Sequence, residues 1–129
     1  MSGASDMDPY NERVRALFAQ PAHAGQLADG VVVRNADQGI RVELSAQATG
    51  GQLTRMRFRL RGCPHSIAAC EASCAELEGT AIQSAAGFTA AKLMQSLAVP
   101  AEKSARILVI EDTVRLLGAA LQESATSGR

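Results

Sequence analysis

Residues 61–74, RGCPHSIAACEASC, contain all three cysteines of the chain and mark the point where the hydrophobic period changes. Before Gly62, apolar and polar residues alternate as in a strand with one buried face, whereas after Pro64 the apolar residues recur at helical spacing. Pro64 favours the first position of a helix, which makes Cys63 the predicted N-cap. The stretch therefore predicts a strand-to-helix corner with a thiol at the junction.

Cys63 is interpreted as a reactive, functional thiol because of this position. At the N-terminus of a helix, its sulfur would lie beside backbone amides that lack intrahelical partners and at the positive end of the helix dipole. Both features favour the thiolate over the thiol. Gly62, next to it, would allow a close approach of the backbone or an unusual dihedral angle.

Cys70 and Cys74 lead to a different interpretation. They share one helical face with Ile67 and Leu77, which is typical of a core stripe, and free cysteine often serves as a small buried apolar residue. The alternative is a metal-chelating pair one turn apart. Cys63 is about two turns from Cys70, too far to share a single ion without a bend in the helix.

The two histidines give weaker signals. His65, in the first helical turn, is interpreted as solvent-facing, and its alternative roles are those of a proton donor or a weak metal ligand near Cys63. His23 lies in a polar connection and carries even less information. The chain contains no Ser/His/Asp arrangement, phosphate-binding glycine loop or CxxC motif. It is therefore predicted not to be an enzyme.

The segment before the corner has the period of β-strands. Residues 31–33 form a short strand candidate. Apolar residues alternate with polar ones over 40–45 and 55–61, on either side of the turn ATGGQ at 48–52. These two runs predict an antiparallel hairpin with one buried and one solvated face.

The solvated face of the last strand would carry Arg55, Arg57, Arg59 and Arg61. Because no aromatic residues are interleaved with them, these arginines are interpreted as a solvated face, partly paired with Glu43, rather than as a nucleic-acid interface. The alternative is a docking surface for an acidic partner protein.

An N-terminal helix is predicted to begin at Asp8 and Pro9, an N-cap acceptor followed by a proline in the first turn, and to end at Pro21. Its apolar face is formed by four residues: Tyr10, Val14, Leu17 and Phe18. The segment 1–7 that precedes it is predicted to be disordered.

Three helices are predicted after the corner. The first should run from Pro64 to about Leu77, with Gly79 as a C-terminal cap. The second ends before Pro100, and its apolar residues are Ala90, Leu93, Met94 and Leu97. The third carries the stripe Ile107, Ile110, Val114, Leu117 and Leu121. The tail 123–129 is predicted to be disordered.

These elements predict an α+β fold, in which a small three-stranded antiparallel sheet packs against N-terminal and C-terminal helices. The 129 residues suit a single domain, 1–129. Thirteen basic residues balance thirteen acidic ones, so the charge gives no general reason to expect nucleic acid or a membrane as partner. An odd number of cysteines without an export signal favours the cytoplasm.

The order of elements and the motif GCPHSIAAC at 62–70 resemble the iron–sulfur cluster scaffold proteins of the IscU, SufU and NifU N-terminal-domain type. The opening YNERVRALFAQPAHAG at 10–25 is similar to the first helix of that family. The resemblance covers about residues 10–121.

In that family, three cysteines and an aspartate hold a nascent cluster or a zinc ion. The resemblance assigns two of these positions to Cys63 and Asp37. His65, from its place in the first helical turn beside Cys63, is a weak additional ligand candidate. Asn35 and Arg106 stand where the other two family cysteines would lie. A guanidinium would repel a cation, and it would also supply positive charge to Asp37 and to any Cys63 thiolate. We therefore hypothesise that an Asp37–Arg106 ion pair, with Asn35 hydrogen bonding nearby, replaces the metal.

The function implied by the resemblance is iron–sulfur cluster assembly, with Cys63 as cluster ligand or persulfide acceptor and Asp37 as second ligand. The implied cofactor is an iron–sulfur cluster, zinc or iron. The implied partner is a cysteine desulfurase or another iron–sulfur assembly protein, and a homodimer could share a cluster. The alternative is a metal-free module with the scaffold fold that binds a desulfurase or a cluster carrier. A thiol enzyme that uses Cys63 with His65 ranks third.

Overall fold

The structure, a computed structural model, describes residues 11–127, and its centre is a sheet of three antiparallel strands. The strands are β1 (Val31–Asp37), β2 (Ile40–Thr49) and β3 (Gln52–Arg61), in the spatial order β1-β2-β3. Gly50 and Gly51 join β2 to β3 with φ angles of 61° and 81°, values that a two-residue hairpin turn requires and glycine supplies. The predicted hairpin is confirmed, and β1 is longer than the predicted segment 31–33.

Five α-helices and one short 3₁₀ segment are described around the sheet. They are α1 (Glu12–Ala19), α2 (Pro64–Leu77), α3 (Ile82–Ala86), α4 (Ala91–Ser96), the 3₁₀ segment Ala101–Lys103, and α5 (Ser104–Ser127). The predicted bounds of α2 are confirmed, whereas α3 was not predicted. Helix α5 extends five residues into the tail for which disorder is predicted. None of the helices between residues 11 and 127 combines the length and the apolar character that a membrane span requires.

Helix α1 begins with a cap that the sequence analysis did not select. The side chain of Asn11 accepts a hydrogen bond from the amide of Val14 at 2.9 Å. Asp8, Pro9, Tyr10 and the segment 1–7 lie outside the described residues. Val14 is fully buried and Leu17 is partly buried, but Phe18 is 43% exposed. The assignment of Phe18 to the buried face is therefore wrong.

The core lies between one face of the sheet and the helices. Helix α5 packs across β1 and β2, and α2 packs against β3. The predicted α5 stripe is confirmed, since Ile107, Ile110, Val114, Leu117 and Leu121 are all buried. The opposite face of the sheet bears the arginines of β3. This arrangement leaves the β3-to-α2 corner at one end of the sheet, close to the start of α5.

Candidate functional site

Cys63 lies at the junction of β3 and α2, as the sequence predicts. It is the N-cap of α2, with extended backbone angles of φ −85° and ψ 166°, and Pro64 occupies the first helical turn. Proline needs no hydrogen-bond partner for its nitrogen at that position and is already in the helical range of φ. The side chain of Cys63 is partly exposed, whereas the other two cysteines are buried.

Gly62 allows the corner to pack tightly against the sheet. A Cβ atom at this position would lie 2.9 Å from Cδ2 of Leu60 and 3.0 Å from Cγ2 of Ile40. These separations are shorter than an ordinary carbon–carbon contact, so any side chain here would displace its neighbours. The predicted close approach at Gly62 is confirmed, and it fixes where Cys63 emerges.

The surroundings of Cys63 favour its ionised form. Partial burial alone would raise the pKa of the thiol, but Ser66, Arg106 and Lys103 outweigh this effect and hold the pKa below its ordinary value of 9.0. Ser66 acts through its hydroxyl, which lies 3.4 Å from Sγ, and through its backbone amide. The guanidinium of Arg106 favours the thiolate, and Lys103 contributes positive charge. The sulfur is thus a thiolate over a wider pH range than an ordinary cysteine.

Cys70 and Cys74 are packing residues in this structure. Both are fully buried within the hydrophobic core. Burial raises the pKa of each thiol well above its ordinary value, and the negative charge of Glu71 raises both further. A neutral buried thiol is a poor nucleophile and a poor metal ligand. The interpretation of these two cysteines as core residues is confirmed.

Arg106 favours the thiolate of Cys63 and is not paired with Asp37. Within residues 11–127, no ion pair joins the guanidinium to the carboxylate of Asp37, which is exposed and accepts a hydrogen bond from the amide of Gln38 at 2.8 Å. The hypothesised Asp37–Arg106 ion pair is therefore wrong. Arg106, on the first turn of α5, instead stabilises the Cys63 thiolate, which was the second effect expected of its charge.

Asn35 lies on the core side of β1. Its side-chain amide donates to the hydroxyl of Thr113 on α5 at 3.3 Å, and that hydroxyl donates to the carbonyl of Val109. The amide therefore links the first strand to the last helix. The expected hydrogen bond of Asn35 at an Asp37–Arg106 pair is not formed.

His65 is fully buried, so the prediction that it faces solvent is wrong. Burial, together with the positive charge of Lys103, holds the pKa of the imidazole below its ordinary value of 6.5. Nζ of Lys103 lies 3.3 Å from Nδ1 of His65, and a lysine ammonium can only donate, so Nδ1 accepts. Two residues from different parts of the chain thereby link the first turn of α2 to the segment before α5.

The residues proposed as metal ligands do not form one ligand set. Across the described part of the chain, no three histidine, cysteine, aspartate or glutamate side chains lie close enough together to hold a metal ion. Cys63 is instead flanked by Lys103 and Arg106. Two cations beside a single thiolate attract an anionic group and oppose a metal cation.

The sequence of residues 9–122 matches the family described as the NifU-like N-terminal domain. The chain belongs to the NifU-like N-terminal domain family. A comparison with curated proteins finds no significant match. The family assignment confirms the resemblance stated from the motif at 62–70.

Solved structures share the fold of this NifU-like domain. A nitrogen-fixing NifU-like protein (N-terminal) from Brucella abortus is 17% identical, with 88% of this chain and 94% of the other covered and a TM-score of 0.67. A candidate iron–sulfur cluster assembly scaffold protein for the SUF system from Fervidobacterium islandicum AW-1 is 15% identical, with 84% and 96% covered and a TM-score of 0.71. At these identities the structures show a common fold, and the predicted α+β class is confirmed.

A second polar cluster in this NifU-like domain was missed by the sequence analysis. Nδ1 of His23 lies 2.6 Å from Glu71, and its Nε2 lies 3.1 Å from Glu78. Glu78 also accepts hydrogen bonds from the amide of Met56 at 2.8 Å and from Arg57 at 2.7 Å. Through these bonds, His23 links the connection after α1 to α2, and Glu78 links it to β3.

Protonated His23 is favoured in this cluster. Burial opposes the charged form, but the hydrogen bonds and charges of Glu71 and Glu78 outweigh it and raise the pKa of His23 above 6.5. The stabilisation is therefore complete below pH 6.5 and is lost as the pH rises through the higher folded-state pKa.

We expect His23→Gln to lower the free energy of unfolding by about 2 kcal/mol at pH 6, because Glu71 loses its charged partner, and by less as the pH rises. Urea unfolding of both proteins from pH 6 to 8.5 measures this difference. Subtracting one unfolding free energy from the other removes the contribution of His65, because both proteins contain this residue. A difference that stays constant or grows with pH would contradict the role given to His23.

Proposed function

We propose that this chain takes part in iron–sulfur cluster assembly and that Cys63 is its sulfur-accepting thiolate. The observation that carries the proposal is the state of the three thiols in a NifU-like fold. Cys63 is partly exposed and has a lowered pKa, while Cys70 and Cys74 are buried and have raised pKa values. Of the three thiols, all of which lie within the described residues, only that of Cys63 combines access with a lowered pKa.

The chemical step is the transfer of one sulfane sulfur from a persulfide on a cysteine desulfurase. The Cys63 thiolate attacks the terminal sulfur, a new S–S bond forms at Cys63, and the donor's S–S bond breaks. The donor cysteine leaves as a thiolate. The proton of the transferred sulfur stays on that sulfur or passes to water. No external oxidant or reductant is needed, because one S–S bond replaces another.

Arg106 and Lys103 contribute to this step through their charge. The persulfide formed at Cys63 is an anion, and the same two cations that lower the pKa of the thiol would stabilise it. Ser66 adds a hydroxyl 3.4 Å from the sulfur. These residues stabilise Cys63 as an anionic sulfur acceptor. The sulfur that it accepts would then be used to assemble an iron–sulfur cluster.

An iron–sulfur cluster or a zinc ion does not fit the donor set of one chain. Cluster iron is held mostly by thiolates, and the described residues supply one accessible thiolate with two cations beside it. A second copy of the chain or a partner would have to supply the remaining ligands.

The proposal is tested by incubating the wild-type protein with a cysteine desulfurase and cysteine, followed by intact mass measurement and peptide mapping without reductant. The expected result is a gain of one sulfur atom per chain, located on the peptide that contains Cys63. A sulfur located on Cys70 or Cys74, or none at all with an active desulfurase, would refute it.

The second candidate function is a metal-free module that binds a desulfurase or a cluster carrier and changes its activity. It is favoured by Arg106, because this cation beside Cys63 stands where the resemblance to the family places a cysteine ligand, and a cation opposes metal binding. The same incubation, followed by a pull-down of the desulfurase, separates the two functions. Stable binding of the desulfurase without sulfur transfer to Cys63 would support the module.

A further inference from the structure

The solvated face of the sheet carries a cationic patch at the end nearest Cys63. Four arginines from three strands form the patch: Arg34, Arg41, Arg59 and Arg61. The side chains of Arg34 and Arg59 are 68% and 61% exposed. Because the whole chain has a formal charge of zero, this positive charge is a local feature of one surface.

The only carboxylate at the centre of this patch, within the described residues, is that of Glu43. The register places Glu43 opposite Arg34 on one side and Arg59 on the other. Its two oxygens lie 3.0 Å from Arg34 and 3.7 Å from Arg59. One carboxylate therefore serves two guanidiniums and can neutralise only one charge.

Arg41 and Arg61 are directly opposite each other on β2 and β3. Neither forms an ion pair within 4.0 Å with any residue between 11 and 127. Like charges that face each other across two strands destabilise the sheet. The fold thus holds two uncompensated guanidiniums side by side, and one of them, that of Arg61, is two residues before Cys63 in the sequence.

Two surface depressions flank Arg41. One, of about 330 Å³, is bordered by Arg34 and Ala36, and the other, of about 390 Å³, by Arg59 and Arg61. A guanidinium binds a carboxylate through two parallel hydrogen bonds, which a side chain entering such a depression could form. The patch therefore offers positive charge and two depressions at the end of the sheet where β3 leads into Cys63.

We propose that the cationic patch binds an acidic surface of the sulfur-donor protein and places its persulfide at Cys63. This inference rests on the proposed function and adds the recognition of the partner. A protein is favoured over nucleic acid because the patch has no aromatic side chain on which a base could stack, and because a phosphate backbone would meet Glu43 at its centre.

The test uses two charge reversals, Arg41→Glu and Arg61→Glu, made separately. Each variant places opposite charges across the strands, so each should fold at least as well as the wild type. The matched control is Arg55→Glu, on the same strand and face but about 20 Å from Arg61, since a strand rises about 3.4 Å per residue. Arg55 is opposite Gln47 and is exposed.

Binding of a purified cysteine desulfurase is measured for the four proteins at low and at physiological salt. We expect Arg41→Glu and Arg61→Glu each to weaken binding about tenfold, with a smaller salt dependence than the wild type, and Arg55→Glu to change it by less than about twofold. Equal affinities of all variants, or an equal loss in Arg55→Glu, would overturn the inference.

Two further measurements distinguish a failure of the proposed function from a failure of the inference about the patch. Glutathione persulfide, which needs no docking surface, is offered to the wild type. If glutathione persulfide leaves Cys63 unmodified, the proposed function fails. The measured desulfurase affinities then still show whether the patch binds the partner.

Mixed-sequence duplex DNA is titrated as well. If DNA binding depends on Arg41 and Arg61 and desulfurase binding does not, the patch is a nucleic-acid surface and the inference is overturned.

Discussion

The Cys63→Ser variant is expected to accept no measurable sulfur from a cysteine desulfurase, whereas the wild type gains one sulfur atom per chain. A serine hydroxyl stays protonated at neutral pH and cannot displace the donor thiolate. The fold should be retained, because serine is one of the best N-cap residues and differs from cysteine by a single atom. Intact mass measurement, with circular dichroism for folding, checks the result.

The matched control is the double variant Cys70→Ala/Cys74→Ala, which leaves Cys63 as the only thiol. Both replaced residues are buried, so the variant should lose some stability but keep full sulfur acceptance. Sulfur on folded Cys63→Ser, or its absence from the double variant, would remove Cys63 from the proposed role. Retained binding of the desulfurase by Cys63→Ser would show that docking and transfer use different residues.

The elements that sequence reasoning predicted are those determined by local pattern. The hairpin follows from alternation around two glycines, and the bounds of α2 follow from Pro64 at its start and Gly79, with a φ of 87°, after its end. The role proposed for Cys63 follows from the same local pattern, since the junction of a strand and a helix places the thiol at a helix N-terminus.

The elements that were missed depend on short or distant relationships. Helix α3 spans five residues, too few to show a helical period. The partners of His23 lie 48 and 55 positions away, and Lys103 lies 38 positions from His65. No pattern within a window of the sequence can reveal contacts over such separations.

Ser66 is the exception among the missed residues of the site. It lies three positions after the N-cap, where the side chain commonly reaches back to the cap residue. Its hydroxyl, 3.4 Å from Cys63, could therefore have been predicted from spacing alone. Arg106 was correctly expected to supply charge to the thiolate, but the choice between Asp37 and Cys63 as its partner required the structure.

The Gly118→Ala variant is expected to lose about 2 kcal/mol of unfolding free energy, because α5 and α3 are in backbone contact at this position. A Cβ atom on Gly118 would lie 2.3 Å from the nitrogen of Ala86 and 2.8 Å from the carbonyl carbon of Ala85. These are backbone atoms, which cannot rotate away, so one helix must move. Alanine would gain about 1 kcal/mol of helix propensity, which offsets only part of the cost.

Urea unfolding of Gly118→Ala and of the matched control Gly87→Ala measures this effect. A Cβ atom on Gly87, at the end of α3, would have its closest contact at 3.5 Å, and its φ of −106° is accessible to alanine. The control should therefore unfold within about 0.5 kcal/mol of the wild type. If the two variants are equally stable, the backbone contact between α3 and α5 is not formed in solution. If only Gly118→Ala is destabilised, the long helix that carries Arg106 to Cys63 is anchored by its contact with a helix that no sequence period reveals.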